Sequence, residues 1–118
     1  MSMEAEAMSL SGYKIEGNAR ITLSSSAHNG TGSASFASKV KAGTYTVGVN
    51  VLAEDDGQSK VSLYVDGAYV GQQTFPKVVG YRTLNFNNVS LKYGQTVKLV
   101  GQKDGYATFA RINKVDIN

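Results

Sequence analysis

The chain has 118 residues, 42% hydrophobic and 18% charged, enough for one domain core and unlike a disordered tail or a coiled coil. It contains no cysteine, so disulfides and thiolate metal sites are excluded. Its formal net charge of +3 comes from singly scattered lysines and arginines, and no apolar run approaches the roughly 20 residues of a membrane span, so neither nucleic acid nor a bilayer is an expected partner.

Met1 to Glu4 open straight into polar alternation without a secretory leader, which reads as a domain boundary inside a longer exported protein. Strands are expected at 3–10, 12–16, 19–24, 32–38, 44–52, 59–66, 68–75, 83–91, 95–102 and 107–117. In the fifth, Tyr45, Val47, Val49 and Val51 share one face, and Thr44, Thr46, Gly48 and Asn50 the other. In the sixth, Val61, Leu63 and Val65 point inward. Asp66 and Gly67 follow as a two-residue hairpin turn, because a type I′ turn needs positive φ at both central positions. In the last strand Ala110 and Ile112 carry one parity and Val115 and Ile117 the other, which a bulge near Asn113 and Lys114 reconciles. No window has a 3.6-residue stripe, so helices should be absent or single turns. The expected fold is all-β: an antiparallel sandwich or jelly roll spanning 1–118.

Successive connections in such a sandwich alternate between its ends. Loops 25–31, 53–58, 76–82 and 103–106 should share one end, and turns 39–43, 66–67 and 92–94 the other. The first set carries His28, Asn29, Glu54, Asp55, Asp56, Gln58, Lys77, Tyr81, Arg82, Lys103, Asp104 and Tyr106. Planar polar groups beside aromatic rings suit a sugar, offering bidentate hydrogen bonds to vicinal hydroxyls and a flat surface for the pyranose C–H face. The alternative is a set of solvated loops, with Arg111 in an ion pair to an acidic loop residue.

Three stretches resemble carbohydrate-binding modules of the family six and family thirty-five type: Glu4 to Glu6 with Met8 to Tyr13, Ala42 to Val47 followed by Glu54 to Gly57, and Phe109 to Ile117. The resemblance implies a β-jelly roll, a structural calcium ion, and a sugar held by loops at one end. Carried over residue by residue, Glu4, Glu6 and Asp116 would supply carboxylate oxygens to Ca²⁺, with carbonyls near Asn29 completing the shell. Spacing supports this where Glu4 and Glu6 share one strand face and the first strand pairs near the last. Tyr106, Asp104 and Arg111 match the sugar-gripping positions, with Asp55, Asp56 and Arg82 as neighbours.

The expected function is non-catalytic binding of a polysaccharide or oligosaccharide by a secreted, extracellular, monomeric module. It would hold an attached catalytic domain, a glycoside hydrolase such as an agarase or a polysaccharide lyase, on its substrate. Arg82, Arg111, Lys77 and Lys103 point to an acidic or sulfated glycan, such as an agar-type galactan or alginate. Catalysis by the domain itself is disfavoured: His28 is its single histidine, a cysteine nucleophile is absent, and Asp56 with Asp104 is the one loop carboxylate pair to consider. A calcium-stabilised adhesion or spacer module is the alternative.

Overall fold

The computed structural model describes residues 1–17, 19–24, 30–55, 57–104 and 109–118. Its strands are β1 (Ser2–Glu4), β2 (Ser9–Ser11), β3 (Tyr13–Glu16), β4 (Arg20–Leu23), β5 (Thr31–Ala37), β6 (Gly43–Ala53), β7 (Lys60–Val65), β8 (Ala68–Thr74), β9 (Gly80–Leu91), β10 (Thr96–Gln102) and β11 (Ile112–Ile117). One sheet has the order β3-β4-β11-β6-β9 with β1 also against β11, and the other β2-β5-β10-β7-β8. All recorded pairings are antiparallel.

Period-two patterning forms the sandwich. Val47, Val49, Val51, Ile112 and Val115 from one sheet, and Val61, Leu63, Val97 and Leu99 from the other, are fully buried. Each such side chain contributes roughly 1.5–3 kcal/mol on leaving water. Asp66 and Gly67 have φ of 50° and 81°, the two positive values that the hairpin turn requires. Pairing of β11 with β6 shifts register between Ile112 and Lys114, so the expected bulge lets Ile112, Val115 and Ile117 all face the core.

Gly32 of β5 and Gly101 of β10 are cross-strand partners. Their missing side chains leave a depression that Tyr13 and Leu23 of the opposite sheet fill: a Cβ on Gly32 would stand 2.7 Å from Leu23 Cδ2, and one on Gly101 would fall on the Tyr13 hydroxyl. That hydroxyl donates to the Ala110 carbonyl at 2.7 Å. Burial pushes the Tyr13 phenol far above its ordinary pKa.

Three expectations need correction. Residues 3–10 are not one strand: Ala5–Ala7 form a 3₁₀ turn that transfers the chain from β1 in one sheet to β2 in the other. The turn buries Ala5 and Met8, three residues apart, and Ala and Glu resist helical backbone less than β-branched residues do. The closing strand starts at Ile112; Ala110 stands at φ 45°, held by its amide on Ser59 Oγ (3.1 Å) and its carbonyl on Tyr13. The ninth strand begins at Gly80, so Tyr81 and Arg82 lie on β9 opposite Leu52 and Val51 rather than in a loop.

Candidate functional site

Register fixes the two poles. Ala53 pairs with Gly80, Gln102 with both Lys60 and Thr31, and Lys60 with Thr74. The described parts of the connections after β4, β6, β8 and β10 (Ser24 and Gly30; Glu54, Asp55 and Gly57 to Ser59; 75–79; Lys103, Asp104 and Phe109 to Arg111) therefore meet at one pole. They are tied together there by Lys103 N to Gly30 O (2.9 Å), Phe75 N to Ser59 O (2.8 Å) and Gln58 Nε2 to Phe75 O (3.2 Å). The opposite pole holds the turns at 38–42, 66–67 and 92–95, joined by Gly94 N to Ser38 O and Asp66 N to Thr96 O. It also holds both chain ends: the Met1 ammonium donates to the Ile117 carbonyl at 2.9 Å.

Along the loop pole a charged row crosses the outer face of the first sheet. Glu16 and Arg20 face each other across the β3–β4 hairpin. Arg20 Nε donates to Glu16 Oε1 at 2.7 Å and Arg20 Nη1 to the Tyr81 hydroxyl at 3.2 Å. Arg111 Nε donates to the same Glu16 oxygen at 2.9 Å, while its Nη1 pairs with Glu54 Oε1. Its guanidinium lies 5.3 Å from the Phe109 ring centroid, and the Lys103 ammonium also stands 5.3 Å from that centroid. Phe109 thus organises two cations.

Partial burial by itself would raise the Glu16 carboxyl, but hydrogen bonds and charge from Arg20 and Arg111 outweigh it and hold the carboxyl below its ordinary value. The unfolded chain therefore takes up this proton at higher pH than the folded one. The stabilisation is complete above the ordinary value of 4.5 and is lost as pH falls through the folded-state value. Glu16→Gln should lower the urea midpoint at pH 7, and its gap to wild type should shrink on acidification below about pH 4. A gap independent of pH contradicts this account of the row.

The expected site residues divide as follows. Glu54 and Arg111 meet, but in an ion pair with each other and with Glu16; their side chains are 26% and 19% exposed. Gln58 and Asp104 are joined, the Gln58 amide donating to Asp104 Oδ2 at 3.1 Å. Lys103 and Asp104 line a polar cleft of about 270 Å³ together with Gln58, Lys60, Thr74 and Gln102. Tyr81 and Arg82 are exposed, with Arg82 Nη1 donating back to the Tyr81 carbonyl at 2.8 Å. Asp55 and Lys77 are exposed. Asp56, Tyr106, His28 and Asn29 lie outside the described residues. The sequence reading missed Glu16, Arg20, Phe109 and Lys60; the usable signal was Glu16 and Arg20 flanking the Gly17 turn with opposite charges.

The carboxylates expected to hold a metal are not gathered. Glu4 pairs with Lys114 and Asp116 with Ser2 on the β1–β11 ladder, and Lys114 Nζ stands 3.6 Å from Asp116 Oδ2. Glu6 is on the 3₁₀ turn, off the strand and past the end of β1 remote from Asp116, so it does not share a strand face with Glu4. Among the described residues no cluster of three acidic, histidine or cysteine side chains is placed to hold an ion. Glu6 nevertheless keeps one buried carboxylate oxygen, Oε2, without a hydrogen-bond partner.

No family model matches the chain. It is 31% identical over 87% of its length to a protein named probable α-glucuronidase A from Aspergillus terreus, and equally to one from Neosartorya fischeri, and it spans 15% of the length of each. Among solved structures it superposes over its whole length on a β-(1,4)-mannanase of Podospora anserina carrying a family 35 carbohydrate-binding module (TM-score 0.78, 16% identity, 27% of that chain). It does so equally on the C-terminal family 6 module of a laminarinase from Zobellia galactanivorans (0.74, 17%, 98% of that chain) and on a family 36 module in complex with calcium and xylotriose (0.71, 19%, 99%). The fold is therefore the antiparallel sandwich of carbohydrate-binding modules of families 6, 35 and 36, as the sequence resemblance implied.

Proposed function

We propose that this domain binds a polysaccharide at its loop pole, without catalysis, and so keeps an attached glycoside hydrolase or polysaccharide lyase on its substrate. The observation that carries the reading is the meeting of four non-adjacent connections at one end, where Gln58, Lys103 and Asp104 line a polar cleft of the second sheet and Tyr81 and Arg82 stand exposed on β9 of the first. Tyr81 is 44% exposed, offers a ring face, and has its hydroxyl fixed by Arg20. Supporting it, a protein of this fold was solved with xylotriose, and the α-glucuronidases are far longer than the part matched here. The Glu16–Arg111–Glu54 network props the pole from behind rather than meeting the sugar. Chain ends at the opposite pole leave the loops free when a catalytic domain is joined there. The module acts as an extracellular monomer, and Lys77, Arg82 and Lys103 among its exposed groups favour an acidic or sulfated glycan such as alginate or an agar-type galactan. Modest affinity suffices, because tethering raises the local concentration.

Affinity electrophoresis through gels carrying alginate, agar-type galactan, sulfated galactan or xylan tests this. At least one gel should retard the domain, and Tyr81→Ala should weaken the retardation without releasing reducing sugar in any assay. Migration unaffected by every polymer overturns the reading.

A structural Ca²⁺ belongs to the same proposal, narrowed to the acid that fits it. A hard cation would satisfy the orphaned Glu6 oxygen, with backbone carbonyls as the remaining donors. Lys114 neutralises Asp116, which stands apart. Adding 1 mM CaCl₂ after EDTA treatment should raise the melting temperature of the wild type by several degrees, on the order of the linkage energy for an ion well above its dissociation constant. Glu6→Gln should abolish that rise and Asp116→Asn should not. Loss of the rise in the Asp116 variant alone contradicts the assignment.

A further inference from the structure

Two triplets in the chain have asparagine followed two places later by serine or threonine, with no proline between: Asn29–Gly30–Thr31 and Asn88–Val89–Ser90. That spacing is the acceptor pattern for N-linked glycosylation, which adds a bulky, solubilising oligosaccharide to a surface asparagine. Asn29 lies outside the described residues. Asn88 is on β9, which pairs only with β6 and so forms an edge of its sheet. Tyr45 pairs with Val89 and Val47 with Phe86, which leaves Asn87 and Asn88 together opposite Thr46 as a bulge. Asn88 takes the left-handed place in that bulge, with φ 58°, a value asparagine tolerates better than most side chains. The bulge explains an asparagine at 88, but it does not call for a hydroxyl at 90. Asn88 and Ser90 are exposed, while Val89 between them is buried. The Thr46 hydroxyl bonds Asn87 Oδ1 at 3.3 Å, and the Asn88 amide has no hydrogen bond among the described residues. By contrast Asn50 and Asn113 are tied to each other, and Asn50 to Thr83, and neither begins an acceptor triplet.

We propose that Asn88 is an N-glycosylation site, modified by a eukaryotic-type oligosaccharyltransferase that uses a lipid-linked oligosaccharide pyrophosphate as donor. Asn88 Nδ2 attacks the anomeric carbon of the first sugar. The new N–C bond forms as the bond from that carbon to the pyrophosphate oxygen breaks; one amide proton is lost and the lipid pyrophosphate departs. No oxidant or reductant takes part. The proposal rests on the extracellular destination given above, and it is independent of which polysaccharide the loop pole takes. Asn88 stands roughly 20 Å along β9 from Tyr81, at about 3.3 Å per residue. Ser90 pairs with Thr44 beside the turn pole, so an oligosaccharide here leaves the loop pole clear. On an edge strand it also obstructs strand addition by another chain.

Expression of the chain in yeast behind an added secretory leader, with Asn29→Gln present throughout so that one acceptor triplet remains, tests the proposal. Cells and medium are pooled, trimmed with endoglycosidase H and read by peptide mass spectrometry. The peptide carrying Asn88 should gain one N-acetylhexosamine. Asn88→Gln and Ser90→Ala should each abolish the gain, and Ser90→Thr should keep it. Ser90→Ala leaves the left-handed residue in place, so its loss of sugar is not a consequence of a rebuilt bulge. An unmodified Asn88 with Ser90 intact, or sugar retained on it in Ser90→Ala, overturns the proposal. Retardation of trimmed and untrimmed protein in polysaccharide gels reads the binding proposal separately. Equal retardation of the two forms is expected. Retardation lost only in the untrimmed form overturns the placement of the glycan clear of the loop pole. No retardation of either form counts against polysaccharide binding and leaves the Asn88 site standing.

Discussion

Gly101→Ala should destabilise the domain by about 3 kcal/mol, lowering the melting temperature by roughly 10 °C. The new Cβ would coincide with the Tyr13 hydroxyl and stand 2.8 Å from Tyr13 Cζ and 3.0 Å from Ala110 Cβ. The ring cannot swing away cheaply, because Tyr13 is 7% exposed and its hydroxyl holds the Ala110 carbonyl at 2.7 Å. Moving it breaks that bond as well as the packing between sheets. Tyr13→Phe alone should cost about 1–2 kcal/mol, the penalty for a buried carbonyl left without its donor. The double variant should be less destabilised than the two singles summed, since removing the hydroxyl relieves the worst overlap. Additive costs would contradict the direct contact. Because Ala110 sits at positive φ just before Arg111, the same contact positions the guanidinium at the loop pole.

Arg111→Met should cost about 2 kcal/mol at neutral pH, measured by urea unfolding. Removing the guanidinium leaves Glu54 and one side of Glu16 without their partner, in a setting less than one-third exposed. Breaking a fully buried pair costs about 3–5 kcal/mol and an exposed one about 1 or less, so an intermediate value is expected. The acid limb discriminates further. With one arginine gone, the Glu16 carboxyl returns toward its ordinary range, so the variant should lose less stability on acidification than wild type. Arg111→Lys should restore only part of the loss, because a single ammonium cannot reach both carboxylates in the way a forked guanidinium does. Wild-type stability in Arg111→Met would mean that the row is ornamental to the fold.

Alternation made the sandwich legible: apolar residues at every second position of 47–51 and 61–65 are the buried ones, and the Asp66–Gly67 turn joins the strands that flank it. Loop parity was legible too, since it follows from antiparallel connection and needs no side-chain detail. The opening segment was not, because Met3, Ala5, Ala7 and Ser9 alternate as well in one long strand as in two short ones. Only the second sheet's need for an edge partner on β5 decides between them. The charged row was hidden for a different reason: Glu16 and Arg111 lie 95 positions apart, and β11 alone brings them together. Arg111 and Glu54 both carried the right chemistry for a sugar, and the fold uses them on each other. Lys60 read as the start of a half-buried strand, and its place opposite Gln102 depends on the β7–β10 register.

Chemical-shift mapping of the isotope-labelled domain, titrated with an acidic oligosaccharide that retards it in gels, tests the central claim most directly. Perturbations should concentrate at 54–60, 74–82 and 102–111, with residues 38–42, 66–67 and 92–95 silent. The reverse distribution, with the turn pole shifting and Arg82, Lys103 and Asp104 still, would contradict the account.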